Sequence, residues 1–300
     1  MSDNDDPTVS EVLNAIFQRF ESAGLFYGHG TDNAWDEATF LVLHCLDLPL
    51  NSSTEVLEYR INREVLDTIH SLVEVRVIDR VPLPYITAVA WFAGMEFKAD
   101  RRAIIPRSPI AELIENNFQP WYSGAGPEKM LDLCCGGGCI GVASAALNSQ
   151  LHVDLVDLDT DALALAEENI AKHGVETRVK ALQSDLFSAL EGKRYDLIVS
   201  NPPYVDIEDL ASMPEEYHHE PGLALGSGVD GLDLTRKILQ QAAAHLLAHG
   251  LLVVEVGNSG RALEEAFPSV PFTWVDFERG GHGVFVMSKK ELQLYRASFF

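Results

Sequence analysis

The stretch Leu131–Gly141, LDLCCGGGCIG, decides the fold, because it changes from a strand pattern to a helix pattern across three consecutive glycines. Gly136, Gly138 and Gly141 match G-x-G-x-x-G, in which glycines let the backbone turn sharply and approach a ligand closely. Asp157 ends the next predicted strand, 21 residues after Gly136, where a carboxylate can accept the hydroxyls of a ribose. The stretch therefore predicts a nucleotide site at the carboxyl edge of a parallel sheet, and a nicotinamide dinucleotide would use the same geometry.

Strands and helices alternate from this stretch toward the C-terminus, which predicts an α/β fold with a parallel sheet covered by helices on both faces. Residues 8–79 show helical spacing, and residues 86–97 read as a strand or hairpin. We therefore predict a helical domain at 1–80, a β-hairpin linker at 81–106 and a larger domain at 107–300. Strands are predicted near 129–134, 151–157, 178–182, 194–200 and 250–256, helices near 139–148, 160–173, 231–248 and 259–267, and a terminal hairpin at 272–287.

Two further carboxylates narrow the choice of nucleotide. Asp132, four residues before Gly136, would be repelled by a pyrophosphate but attracted by the ammonium and sulfonium of S-adenosylmethionine. Its alternative role is to cap nearby backbone N–H groups. Asp185, near the end of the third predicted strand, can accept an adenine amino group with Leu186 against the ring, or it can serve as an N-cap.

The segment Asn201–Tyr204, NPPY, follows an apolar strand and is suited to holding a planar, weakly nucleophilic nitrogen. Its two prolines fix the backbone and supply carbonyls without N–H donors. The Asn201 side-chain oxygen and the Pro202 carbonyl can then accept the two hydrogens of an amino group. A plain proline-stiffened turn is the alternative for this segment taken alone.

In this order, these elements resemble class I S-adenosylmethionine-dependent methyltransferases, whose seven-stranded Rossmann-like sheet ends in an antiparallel strand. The helical N-terminal region and the segments Ile105–Glu112 and His219–Pro221 are similar to protein-(glutamine-N5) methyltransferases. One branch of that family modifies a release-factor glutamine, and the other a glutamine of large-subunit ribosomal protein uL3. The segments Asn201–Asp206 and Glu255–Ser259 resemble the ribosomal-protein branch. Cys135 departs from the family, which more often has a small polar residue there, and this puts the strength of cofactor binding in question.

The resemblance implies that S-adenosyl-L-methionine is the cofactor and that its methyl group passes to the amide nitrogen of a glutamine. Asn201 and Pro202 would accept the two amide hydrogens, and Tyr204 would pack on the amide plane, so that no general base is required. The implied catalytic residues are Asn201, Pro202 and Tyr204. The implied cofactor residues are Asp132, Gly136, Gly138, Asp157, Asp185, Leu186 and Asn201, and the implied substrate residues are Asn201, Pro202, Pro203, Tyr204, Arg107 and Glu220.

Composition limits the partners. The formal charge of −23, from 45 acidic and 22 basic residues, disfavours nucleic acid and favours a basic protein such as uL3. No signal-like or membrane-spanning stretch is visible, and the four cysteines lack paired metal-ligand spacing, so we expect a cytoplasmic protein without a metal site. An adenine methyltransferase, a nicotinamide-dependent oxidoreductase and a non-catalytic adaptor are the competing functions. The first lacks a basic groove, the second leaves Asn201–Tyr204 unexplained, and the intact acceptor segment disfavours the third.

Overall fold

The computed structural model describes residues 6–124 and 126–300, so the first five residues of the predicted helical domain lie outside the described residues. The chain divides into two compact units. The first unit comprises Met1–Ala90 together with Pro214–His219, and the second comprises Trp91–Met213 together with Glu220–Phe300. The first unit is therefore built from two separate parts of the sequence.

The first unit is helical, as the spacing of its apolar residues predicts. Thr8 begins its first helix with a capping box, in which its hydroxyl accepts the Glu11 N–H and the Glu11 carboxylate accepts the Thr8 N–H. Asn33 and Asn62 cap the next two long helices through their side-chain oxygens. These caps satisfy N–H groups that have no partner inside a helix. The helices are α1 (Val9–Ala23), α2 (Ala34–Cys45), α3 (Arg63–Ile78) and α4 (Leu83–Thr87), with a 3₁₀ turn at Thr54–Glu58.

A buried charged cluster holds the second part of this unit. The Arg76 guanidinium donates to Glu37 at 2.6 Å and to Glu216 at 3.1 Å, and all three side chains are almost fully buried. Glu216 also accepts the Phe26 N–H at 3.0 Å. Because a buried charge is tolerated only when it is paired, this cluster fastens the segment Pro214–His219 among the helices of the first unit.

A two-stranded hairpin, β1 (Val89–Phe92) and β2 (Met95–Lys98), follows α4, within the region where the sequence predicts a strand or hairpin. The region 81–106, predicted as a β-hairpin linker, also contains a short helix, because α4 forms at Leu83–Thr87 with Pro84 in its first turn. Proline is tolerated there because the first N–H groups of a helix have no intrahelical partner.

The second unit contains a seven-stranded sheet in which only the last strand of the chain runs antiparallel to its neighbours, as expected. The spatial order is β5-β4-β3-β6-β7-β9-β8. The order reverses beside β3, which pairs with β4 on one side and β6 on the other. The strands are β3 (Lys129–Leu133), β4 (His152–Asp157), β5 (Val179–Gln183), β6 (Tyr195–Ser200), β7 (Leu246–Glu255), β8 (Thr273–Trp274) and β9 (Val284–Ser288).

Helices cover both faces of this sheet. Leu197 and Val199 of β6 pack into one apolar core, whereas Ile198 packs into the core on the opposite face. This alternation confirms the predicted α/β class. Helices α5 (Ile110–Glu115), α6 (Cys139–Leu147) and α7 (Thr160–Lys172) lie on the first face, and α9 (Asp233–His245), α10 (Gly260–Ala266) and α11 (Lys289–Leu294) on the second, while α8 (Ile207–Ser212) contributes no buried residue. Across the described residues, every helix is too short or too polar to traverse a bilayer.

Candidate functional site

The carboxyl ends of β3, β4, β5 and β6 surround a cavity of about 830 Å³, part of it open to solvent. It lies where the strand order reverses, which is the usual ligand position in open α/β sheets. Residues from all four strand ends line it, including six predicted site residues: Gly136, Asp157, Asp185, Leu186, Asn201 and Pro203. The other six predicted site residues are not among the residues that line it: Asp132, Gly138, Pro202, Tyr204, Arg107 and Glu220.

The glycine turn is shaped by close packing of α6 on the sheet. Gly136 and Gly138 have positive φ angles of 53° and 77°, a conformation that favours glycine. A Cβ at Gly138 would lie 2.9 Å from the Leu155 side chain, and one at Gly141 only 2.2 Å from it. The first two glycines therefore make the turn, and the third lets the helix approach the strand.

Replacing Gly141 by alanine tests this packing. Alanine normally stabilises a helix interior by about 1 kcal/mol relative to glycine. Here the added methyl collides with Leu155, and we expect the free energy of unfolding to fall by about 1–3 kcal/mol instead. Urea unfolding of Gly141→Ala and of Gly222→Ala, where a Cβ meets nothing within 4 Å, provides the comparison. Equal effects of the two substitutions would contradict the predicted close approach.

Asp132 is fully buried in β3, and its two carboxylate oxygens have different surroundings. Oδ2 accepts the Gly141 N–H at 2.8 Å, so the predicted backbone cap exists. Oδ1 has no hydrogen-bond partner among the described residues. Burial raises the pKa of Asp132 to about 7, opposed by the Gly141 N–H and assisted by the nearby charge of Asp157. A buried acceptor without a donor suits a cationic ligand group, since leaving it unpaired costs free energy.

Asp157 lies at the end of β4, and its carboxylate forms a hydrogen bond with the glycine turn. One of its oxygens accepts the Gly136 N–H at 2.8 Å and the other accepts the Asp159 N–H at 3.0 Å. Burial raises its pKa. Each carboxylate oxygen retains a further acceptor position, so this side chain can still receive ribose hydroxyls from the cavity.

The turn after β5 presents Asp185 and Leu186 to the cavity. The Ser184 hydroxyl, and not Asp185, serves as its cap, because Ser184 Oγ accepts the Ala189 N–H at 3.0 Å and donates to the Leu186 carbonyl at 2.8 Å. The alternative role predicted for Asp185 as an N-cap is therefore taken by its neighbour. Its carboxylate stays on the cavity wall beside an apolar side chain, an arrangement that fits an adenine ring.

The acceptor loop, residues 201–204, leaves the end of β6. The Asn201 side-chain oxygen is buried and has no hydrogen-bond partner among the described residues. No backbone N–H of the described residues donates to the Pro202 carbonyl. Two acceptors on adjacent residues are thus available for donors of a ligand. This is the feature expected of a site that binds an amino group.

Tyr204, the last residue of the acceptor loop, is fixed at both ends. Its hydroxyl donates to Glu255 at 3.0 Å, and its carbonyl accepts the Ser259 hydroxyl at 2.8 Å. No role is predicted for Glu255 or Ser259 beyond the resemblance of the segment Glu255–Ser259 to the ribosomal-protein branch. Their position after β7, the strand next to β6, is the only sequence signal that they reach this loop.

Arg107 and Glu220, both implied as substrate residues by the resemblance, form an ion pair with each other. Two guanidinium nitrogens donate to the two Glu220 oxygens at 2.6 and 2.7 Å, and the Ile105 N–H donates to Glu220 at 2.9 Å. The Glu220 side chain is fully buried, whereas Arg107 is 24% exposed. The pair joins the segment before α5 to the loop after the acceptor loop. A direct contact of either residue with substrate stays a prediction.

The glycine turn contains three of the four cysteines, and one of them, Cys134, lines the cavity. All four cysteines in the described residues are free. Burial raises the pKa of Cys135 well above its usual range, so its thiol stays protonated and unreactive. Its sulfur lies 3.7 Å from the Gly136 carbonyl, which shows that a small thiol fits the position where the family more often has a polar residue.

Comparisons with known proteins agree with this geometry. A family model described as "Methyltransferase small domain" matches residues 116–214, which include the glycine turn and the acceptor loop. The ribosomal protein uL3 glutamine methyltransferase of Francisella tularensis subsp. tularensis is 46% identical over 293 residues, covering 97% of this chain and 93% of its own length. The protein of the same name from Xanthomonas campestris pv. campestris is 47% identical over 290 residues, covering 97% and 94%. The chain therefore belongs to the family of ribosomal protein uL3 glutamine methyltransferases.

Proposed function

We propose that this protein transfers a methyl group from S-adenosyl-L-methionine to the side-chain amide nitrogen, N5, of a glutamine in ribosomal protein uL3. The observation that carries this proposal is the buried Asn201 side-chain oxygen without a donor, at the edge of the cavity. The names of the two relatives at 46% and 47% identity supply the substrate. The reaction would take place in the cytoplasm, where ribosomal proteins are synthesised.

The residues present fit S-adenosylmethionine. The partnerless oxygen of Asp132 suits the ammonium group, the carboxylate of Asp157 suits the ribose hydroxyls, and Asp185 with Leu186 suits the adenine. A pyrophosphate would meet the unfavourable charge of Asp132, which opposes a nicotinamide dinucleotide. When bound, S-adenosylmethionine supplies an electrophilic methyl carbon attached to a positively charged sulfur.

The acceptor loop provides what an amide nitrogen lacks. The lone pair of a carboxamide is delocalised, so the nitrogen is a poor nucleophile. Asn201 accepts one amide hydrogen and the Pro202 carbonyl accepts the other, and both stabilise the positive charge that grows on nitrogen during attack. Fixing the amide in a reactive position lowers the barrier further, on the order of 7 kcal/mol. The proton leaves after the N–C bond has formed, when the nitrogen has become acidic, so no side chain must act as a base.

Charge favours a basic protein substrate. Between Tyr204 and Leu234 the sequence contains eight carboxylates and neither lysine nor arginine. Two of the eight, Glu216 and Glu220, are buried in ion pairs with arginines, which leaves six to act on a partner. Such a segment next to the acceptor loop attracts a basic protein and repels the phosphates of a nucleic acid. An adenine methyltransferase would use the same acceptor loop, and it is disfavoured on this ground.

A labelling experiment tests the substrate. The purified protein receives methyl-labelled S-adenosylmethionine and, separately, free uL3, assembled large subunits, release factor or adenine-containing DNA. Labelled products are then digested and mapped by mass spectrometry. We expect label on one uL3 glutamine, and the comparison of free uL3 with large subunits identifies the form that is modified. Label on release factor alone would move the protein to the sister branch, and label on DNA alone would refute the glutamine assignment.

A further inference from the structure

Glu255 is a buried residue that the proposed chemistry does not use, yet its carboxylate forms a hydrogen bond with the acceptor loop. It ends β7, and both of its oxygens are occupied by hydroxyl donors. Oε1 accepts from the Tyr204 hydroxyl at 3.0 Å, and Oε2 accepts from the Ser108 hydroxyl at 2.5 Å. Glu255 thus links the acceptor loop to the segment before α5, 147 residues away from it in sequence.

The rest of Tyr204 is enclosed by residues that follow β7 and by Gly231, which precedes α9. A Cβ on Gly257 would lie 2.5 Å from the tyrosine ring, and a Cβ on Gly231 would lie 2.1 Å from the Tyr204 carbonyl. The Ser259 hydroxyl donates to that same carbonyl. The backbone of Tyr204 and one face of its ring are therefore confined. The Glu255 contact then fixes the far end of the ring.

The two prolines of the acceptor loop show why the hydroxyl end of the Tyr204 ring needs a separate contact. Pro202 and Pro203 fix the backbone that presents the Asn201 oxygen and the Pro202 carbonyl. The Tyr204 side chain has no covalent restraint of this kind and rotates about two torsions, so non-covalent contacts must hold its orientation. A hydrogen bond at the hydroxyl, the atom farthest from the backbone, is the most effective restraint on that rotation.

We propose that Glu255 is a positioning residue for the methyl transfer, which acts through Tyr204 by fixing the ring on which the substrate amide packs. This inference rests on the function proposed above. Ser108 is the second part of the device, because its hydroxyl holds the other oxygen of Glu255. Two hydroxyl donors converge on one side chain, and a carboxylate, which only accepts, satisfies both. Burial raises the pKa of Glu255, and the Ser108 and Tyr204 bonds oppose that shift, as do the charges of Arg107 and His282.

A double-mutant cycle tests whether Glu255 acts through Tyr204. Tyr204→Phe removes only the hydroxyl, and Glu255→Gln keeps the size of the side chain while removing its charge. We expect each substitution to lower kcat about tenfold, with the dissociation constant of S-adenosylmethionine within twofold of wild type. The kcat of the double variant should fall no further than that of the single variants, since both substitutions perturb the same Tyr204–Glu255 contact. Ser108→Ala should lower kcat severalfold, and this effect should vanish in the Tyr204→Phe background.

Two results would overturn the inference: an unchanged kcat in Glu255→Gln, or a hundredfold loss in the double variant, which would mean independent effects. A purely structural role would instead weaken cofactor binding and lower the unfolding midpoint. Glu265→Gln is the matched control, because Glu265 is an exposed glutamate paired with Arg261, and its kcat should equal that of wild type. The cycle uses whichever offered substrate the wild-type protein methylates, so a wrong substrate assignment is seen separately in the wild-type labelling.

A measurement without turnover completes the test. In protein labelled with fluorotyrosine, the Tyr204 resonance is identified by its absence in Tyr204→Phe. We expect Glu255→Gln to shift this resonance and to change its line width, because one oxygen can no longer be matched to each of the two hydroxyl donors, Tyr204 and Ser108. An identical resonance in both proteins would refute the positioning role, whatever the substrate.

Discussion

Asn201→Ala should lower kcat by roughly 10²–10³-fold, the loss typical of removing one preorganised group that stabilises charge in a transition state. The substitution removes the buried oxygen that has no partner among the described residues. It leaves both prolines of the loop in place. Steady-state methylation of uL3 gives kcat, and titration calorimetry gives the affinity for S-adenosylmethionine. We expect the loss to appear mainly in kcat, because the oxygen gains its charged partner only as the N–C bond forms.

Asn116→Ala is the matched control for this substitution. Asn116 is exposed at the end of α5, where its side chain donates to the Glu112 carbonyl, and its removal should leave kcat unchanged. Full turnover by Asn201→Ala, together with normal cofactor binding, would refute the role of the loop as acceptor of the amide hydrogens. Loss of cofactor binding alone would assign Asn201 to the cofactor instead.

The strand ends that build the cavity were predictable because their signals are local. A pattern of a few residues is enough to identify each of them: the glycine turn after β3, the acidic residue that ends β4 and the two prolines after β6. Parallel strands bring their carboxyl ends to one edge, so position along the chain translates into position in space. Six of the predicted site residues accordingly line one cavity.

Contacts between distant segments were not predictable in the same way. Glu255 meets Tyr204 across 51 residues and Ser108 across 147. No local sequence pattern indicates which residues a glutamate at a strand end will contact. The same holds for Glu216, which belongs with Arg76 and the helices of the first unit although it lies far along the sequence. Only the folded structure reveals such pairs.

The boundaries of helices and strands are a second feature that the sequence predicts less well. The helical pattern of α9 was extended to residue 248, but the helix ends at His245 and β7 begins at Leu246. The apolar residues near this junction suit either element, and pairing of Leu246 with Tyr195 decides for the strand. Helix α8 was not predicted, because none of its residues is buried and no apolar periodicity marks it.

Asp132→Asn should weaken S-adenosylmethionine binding on the order of 100-fold, since the ammonium group loses a buried charged acceptor. The wild-type affinity should also depend on pH. Because the pKa of Asp132 is raised to about 7, a lower pH protonates it, and the dissociation constant should rise by up to about tenfold per pH unit below that value. Calorimetric titration between pH 5 and pH 8 measures this dependence, which the asparagine variant should lack.

Asp132→Asn should also change the pH dependence of the unfolding free energy. The folded pKa of Asp132 lies near 7 and its ordinary value is 3.8, so the folded state binds the extra proton between these values. The stability that this proton contributes is present at low pH and is lost as pH rises through 7. Relative to wild type, Asp132→Asn should therefore gain about 2–3 kcal/mol in unfolding free energy between pH 5 and pH 8.

The neighbouring strand supplies a control of opposite sign. Asp196 in β6 is also buried, but its pKa is lowered: the N–H groups of Lys129 and Glu128 and the side chains of His249 and Tyr122 outweigh the opposing effect of burial. Its carboxylate stabilises the fold at neutral pH and loses this effect as pH falls through the folded pKa. Asp196→Asn should destabilise the protein at neutral pH without reducing cofactor affinity. If the unfolding free energies of both variants responded to pH in the same direction, the raised pKa of Asp132 would be refuted. Opposite pH dependences of stability, with the loss of cofactor affinity confined to Asp132→Asn, would mean that the buried Asp132 of β3 binds the cofactor and lowers the stability of the fold at neutral pH.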